Sequence, residues 1–208
     1  MITKAMIQSP TQQLSVEQFI QDYGDNDQIE LIDGELVLME PTGLHEQVVA
    51  LIGQQLNVLI ASQKLPYFLP HRCLLKFLGT ETAYRPDLIV IDQTELRKEP
   101  LWRQEPVITF GSSVKLIVEV VSKNWQNDYA RKAEDYALFG VGEYWIVDYL
   151  GVGGRDYIGR SKQPTITICR LDGDEYQKQL FRNDEQLISP LFPSLELTAE
   201  QIFRASQL

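Results

Sequence analysis

The chain has 208 residues, 44% of them hydrophobic, enough to bury one substantial core in a single domain covering 1–208. Nineteen Lys and Arg against 29 Asp and Glu give a net charge of −10, which argues against indiscriminate adhesion to nucleic acid, and no apolar run approaches the ~20 residues of a membrane span. Met1-Ile2-Thr3-Lys4 lacks the apolar stretch of a secretory signal, so a cytoplasmic protein is expected. Cys73 and Cys169 show no CxxC or Cys/His spacing, which leaves them as small core residues. The charge is uneven: residues 1–60 carry one Lys against nine acids, whereas 113–162 hold seven of each sign. Nucleic acid therefore stays open as a partner.

Leu14–Ile20 reads as a short amphipathic helix capped by Ser15, with Gln18 completing a capping box. Ile29–Ile32 and Glu35–Leu38 alternate around Asp33-Gly34, the signature of a two-residue hairpin; a solvent-facing place fits the strand pattern of both Glu30 and Glu35 and is the preferred reading for Glu35. A helix is expected over Leu44–Ser62, its stripe formed by Val48, Leu51, Ile52, Gln55 and Leu59 and widened by Leu56 and Ile60. His45 falls in its first turn, where the positive helix end disfavours protonation and leaves a better metal ligand. Residues 66–78 read as strands, and 92–113 as a polar stretch.

Two acids stand on core strands. Asp87 follows Arg85-Pro86 and opens Leu88-Ile89-Val90-Ile91, a place where Asp often only caps a turn. Thirty-two residues later Glu119 lies within Leu116-Ile117-Val118-Glu119-Val120-Val121, on the face of Ile117 and Val121. A strand apolar on both faces is buried on both, and a carboxylate persists there only if paired or bound to a metal. The two acids together suggest a divalent-metal site.

After Glu119 a helix is expected from Tyr129 to Phe139, stopped by Gly140. Tyr129, Lys132, Ala133 and Tyr136 share its inward face, which competes with a reading of Lys132 as an exposed partner of Asp128. Glu143–Asp148 is another buried strand, and Gly151-Val152-Gly153-Gly154 resembles a nucleotide loop only superficially, because no GKS/T follows and no helix signature opens there, so it reads as a connector. The last fifty residues give two or three strands, including Thr165–Cys169 with a turn at Asp172-Gly173, then a short helix near Ala199–Ala205. The chain so divides into an N-terminal helix and hairpin (12–40), a core (44–150) and C-terminal strands with a short helix (155–208).

Glu30-Leu31-Ile32-Asp33-Gly34-Glu35-Leu36, His45 at a helix start, Pro86-Asp87-Leu88, Val118-Glu119-Val120-Val121-Ser122, Asp128 followed by Lys132 and Tyr136, and Gly140–Asp148, in this order and spacing, resemble the Uma-two family of restriction-endonuclease-like proteins. The resemblance implies an α/β (α+β) fold with a PD-(D/E)XK nuclease core, a mixed central sheet flanked by helices. It places the motif's Asp at Asp87 and its Glu at Glu119. Val121 stands where that motif has lysine, and the resemblance implies that the lysine has moved to Lys132; Lys123, on the parity of Glu119, is the rival.

The implied chemistry is hydrolysis of DNA phosphodiester bonds. Asp87, Glu119 and the Val120 carbonyl bind Mg²⁺ or Mn²⁺, His45 completes the site, Glu30 or Glu46 bind through water, and Lys132 orients the attacking water. Two other readings stay open: a non-catalytic binding or assembly module of the same fold, and a hydrolase of another phosphodiester. Cutting both strands of a duplex needs two sites, hence an expected homodimer, with Leu191-Phe192 and the surroundings of Trp102 as candidate apolar surface.

Overall fold

The computed structural model describes residues 13–122 and 125–207. Ser15 caps α1 (Val16–Tyr23): its hydroxyl accepts from Gln18 N at 3.2 Å, and the Gln18 side chain accepts from Ser15 N at 3.0 Å. β1 (Ile29–Ile32) and β2 (Glu35–Leu38) pair antiparallel across Asp33 and Gly34, both left-handed at φ 52° and 80°, the backbone that a two-residue turn matched to strand twist requires. Thr42 caps α2 (Gly43–Gln63), which buries Val48, Ile52, Leu56 and Ile60. Then come β3 (Tyr67–Phe68), β4 (Leu74–Lys76), β5 (Ala83–Tyr84) and β6 (Leu88–Asp92).

The stretch read only as polar has order of its own, with a strand, β7 (Val107–Ile108), between two 3-10 turns. Its organiser is the buried Glu99, whose carboxylate accepts from Thr109 N and Oγ1, Phe110 N and Ser113 Oγ. β8 (Val114–Val120) leads to a π-helical turn (Asn127–Arg131), α3 (Lys132–Phe139), β9 (Glu143–Asp148), α4 (Arg155–Ile158), β10 (Thr165–Asp172), β11 (Glu175–Phe181) and α5 (Ala199–Arg204). Gly140, at φ 90°, ends α3 as expected. α4 corrects the reading of 151–154 as a connector without a helix behind it; it is a single turn, too short to show a periodic pattern.

The strands form two mixed sheets, ordered β2-β1-β5-β4-β7 and β11-β10-β9-β8-β6-β3, with β8 and β9 parallel at the centre of the second. Alternation along β8 sends Leu116, Val118 and Val120 to one face, against α2 and α5. Ile117 and Val121 point to the other face, against Ala133 and Tyr136 of α3 and Tyr84 of the smaller sheet. Cys73 and Cys169 are buried and free. Phe192 is fully buried, while Leu191, packed beside it, and Trp102, edge-on to Phe68, are partly buried. No helix among the described residues is long and apolar enough to cross a membrane.

Gly111 lies under the end of α3, where an added Cβ would stand 1.7 Å from the Phe139 carbonyl oxygen. Backbone on both sides leaves no flexible side chain to yield, so Gly111→Ala is expected to cost roughly 3 kcal/mol. The urea midpoint measures it, and an unchanged midpoint would show that α3 does not rest on this residue.

Candidate functional site

Glu119 is the penultimate residue of β8 and is 3% exposed, on the side of the sheet that α3 covers. One of its oxygens accepts from Lys132 Nζ at 3.0 Å and from the Tyr136 hydroxyl at 2.6 Å. Lys132 is brought there by the turn before α3: the Lys132 N–H bonds back to Asn127 O, one residue further than in an α-helix. In this wide turn Asp128 and Lys132 are both buried, which sets aside the exposed-pair reading. Lys132 Nζ also donates to Glu30 at 3.2 Å and lies 5.3 Å from the centre of the Tyr84 ring.

Glu30 is therefore not solvent-facing as its strand pattern suggested; it is 3% exposed and also accepts from Arg85 N at 2.8 Å. Ile32, on the same face of β1, packs against the core under α3, and that shared parity was the available signal. Glu35 is exposed, as expected. Sequence reasoning also missed the contact of Tyr136 with Glu119, although Asp128, Lys132 and Tyr136 recur every four residues and so had to share a helical face. Lys123 lies outside the described residues.

Asp87 ends the approach to β6, and its Oδ2 accepts from Val120 N at 2.7 Å and from His45 Nε2 at 3.1 Å. The same Nε2 is 3.1 Å from the Val120 carbonyl oxygen. Facing two acceptors, Nε2 carries the proton. Nδ1, also buried, is 3.4 Å from Glu46 without a hydrogen bond. The helix end was expected to disfavour protonation of His45. Burial does act to lower its pKa, but the Asp87 carboxylate and then Glu46 outweigh it and push the value up to about 9.

Glu30, His45, Asp87, Glu119, Asp128 and Lys132 all line one cleft of about 530 Å³. Burial, with Asp87, Asp128 and Glu30 nearby, pushes the Glu119 carboxyl up to about 8 despite Lys132 beside it. Burial likewise lifts Asp128 to about 7. Burial would lower Lys132, yet the carboxylates of Glu119, Glu30, Asp128 and Asp87 hold it protonated well above the usual lysine range. Fully ionised, the four carboxylates of this group outnumber its two cations, Lys132 and His45, by two charges, with Arg85 also lining the cleft. The carboxylate oxygens and the Val120 carbonyl are the donor type a hard divalent cation takes. Among the described residues, no three His, Cys, Asp or Glu side chains stand together as a ready-made ligand set. A cation here would depend on a main-chain carbonyl and would compete with His45 for Asp87 and Val120.

A crystal structure described as "a putative nuclease belonging to DUF820 from Anabaena variabilis" matches this fold with a TM-score of 0.69 and 15% identity, over 93% of this chain and 99% of that one. The two chains share one fold. The family model described as "Uma2: Putative restriction endonuclease" matches residues 16–200, and the chain belongs to that family. No curated protein matched the sequence.

The raised carboxyl groups set a pH dependence. Folded Glu119 and Asp128 keep their protons at pH values where the unfolded chain, with ordinary values of 4.5 and 3.8, has lost them, so stability falls as pH rises from about 4 to about 8. His45 acts in the same direction: its contribution is full below 6.5 and lost as pH passes 9. In chelator, the melting temperature is expected to be higher at pH 5.5 than at pH 8.5, and Glu119→Gln should flatten the decline. A melting temperature that rises between those two values would contradict the charge imbalance. Lys132→Met, which leaves buried carboxylates unpaired, should cost about 3 kcal/mol or more at pH 7 by urea denaturation.

Proposed function

We propose that the protein is a divalent-metal-dependent endonuclease that hydrolyses phosphodiester bonds of DNA. The observation carrying this is the cleft floor itself, where a buried lysine and an excess of buried carboxylates converge at the ends of β6 and β8. Asp87, Glu119 and the Val120 carbonyl would hold Mg²⁺ or Mn²⁺, with His45 either completing the set or yielding its two acceptors. Such a cation supplies positive charge opposite the phosphate and acidifies water. Lys132, held protonated, is a donor rather than a base; it orients the attacking water or meets the charge that develops on the phosphoryl oxygens. Tyr136 fixes the Glu119 carboxylate by its hydroxyl. Glu46, 62% exposed at the side chain, would bind the cation through water.

A non-catalytic role for the same fold is favoured by one specific feature: the Lys132 amine is already shared between two carboxylates, and Val121 stands at the usual lysine position. A hydrolase of another phosphodiester is the third reading, separated by a substrate panel. We place the protein in the cytoplasm and expect a homodimer that offers two sites to a duplex, which sedimentation at micromolar concentration tests.

The deciding experiment is nicking and linearisation of plasmid DNA with Mn²⁺. Glu119→Gln should abolish both cleavage and the calorimetric heat of Mn²⁺ binding while the fold persists. Lys132→Ala should lower turnover on the order of 10²–10³-fold with Mn²⁺ affinity nearly kept. Wild-type protein that binds Mn²⁺ yet leaves DNA, RNA and simple phosphodiesters intact would leave the non-catalytic reading.

A further inference from the structure

We propose that the surface made by Trp125 and Tyr157 with Arg155, Arg160, Lys162 and Lys178 binds a polynucleotide strand passing out of the cleft. The choice of partner rests on the nuclease reading; the placement of the surface does not. β8 and β9 run parallel, so Val120 and Asp148 end on the same side of the sheet. The chain leaving β8 lines the cleft with Asn127 and Asp128 and carries Trp125. The chain leaving β9 is folded back by Asp148, whose carboxylate accepts from Val152 N at 3.1 Å and Gly153 N at 2.8 Å.

That fold brings Gly154 against the indole of Trp125, where an added Cβ would approach to 2.8 Å. Tyr157 then meets Trp125 at 6.1 Å between ring centres and Tyr129 at 5.0 Å, with Lys178 Nζ 5.8 Å from its own ring centre. Trp125 and Tyr157 are half-buried, which keeps them rigid while leaving part of each ring open.

Charge supplies the second half. Between Tyr149 and Cys169 the chain carries Arg155, Arg160 and Lys162 against the single acid Asp156, in a protein of net charge −10. These three and Lys178 are exposed, and none is ion-paired with a carboxylate among the described residues. Cations with no carboxylate partner among the described residues, beside two partly exposed rings, suit a phosphodiester backbone with its bases: the cations displace counterions, and aromatic rings stack without regard to sequence. The acidic cleft floor cannot do this work, because it repels phosphate until a cation is present.

The test uses the full chain in EDTA, so that nothing is cleaved, with a fluorescein-labelled 16-nucleotide single strand followed by anisotropy at 50 and 200 mM salt. Arg155→Glu/Arg160→Glu/Lys162→Glu should weaken binding about tenfold or more and flatten its salt dependence, whereas Arg97→Glu/Arg103→Glu, exposed elsewhere, should leave it unchanged. Trp125→Phe should remove most of the quenching of tryptophan fluorescence by the strand while the melting temperature holds. Equal affinity in the triple variant, no binding by the wild type, or binding of anionic vesicles or a poly-glutamate peptide in place of the strand would overturn the proposal. Plasmid cleavage by the same proteins, with Mn²⁺ in place of EDTA, separates the two readings. Strand binding at this surface without cleavage removes only the hydrolysis, and full cleavage by the triple variant removes only the surface.

Discussion

The ammonium of Lys132, shared between Glu119 and Glu30, is the contact on which the rest of the molecule depends. It joins α3, β8 and β1, and so ties the larger sheet to the smaller one at a point closed to water. Desolvating three charges is costly, and an apolar trio of the same volume would pack there at less expense in stability. Its position fits the proposed chemistry: the trio forms the floor of the cleft, beside Asp87 and Asp128.

A second set of contacts holds that floor in register from outside. Arg131, the residue before Lys132, grips Asp33 of the hairpin turn through two nitrogens at 2.6 and 2.8 Å and donates through Nε to the Tyr84 hydroxyl at 3.1 Å. Tyr84 in turn donates to Asp135 and packs edge-on to Tyr136, whose hydroxyl reaches Glu119. An exposed ion pair of this kind contributes little to stability, about 0–1 kcal/mol. What the clasp does is geometric: it fixes the β1–β2 turn to the helix that carries Lys132, so Glu30 meets the amine in one arrangement. A lysine on a helix, reached across two sheets, needs such bracing more than one two residues along the same strand.

The chain's charge is divided by place. Acids crowd the cleft floor and the N-terminal third, while exposed cations collect where the chain leaves β9. A polyanion would be repelled by the one region and held by the other, and a divalent cation on the floor would offset its negative charge.

Much of this was legible in the sequence, for a physical reason: periodicity and turn chemistry are local. The Ser15 cap, the Asp33-Gly34 turn, α2 from its apolar stripe, the Gly140 stop and the burial of Glu119 all follow from residues within a few positions of one another. The inward face of Lys132 followed likewise from its spacing to Tyr129 and Tyr136. Three things were decided only by tertiary structure. Glu30 looked like a solvated strand residue because its partners, Arg85 and Lys132, lie 55 and 102 positions away. The protonation of His45 is set by Asp87, 42 positions on, whose charge overrides the helix end that local reasoning weighed. The strand within 92–113 exists because Glu99 gathers the donors of a loop that has no periodic pattern of its own. Sequence determines what can be read over one or two turns of backbone; long-range pairing of buried charges decides the rest, because its energy depends on which distant groups share the same dry volume.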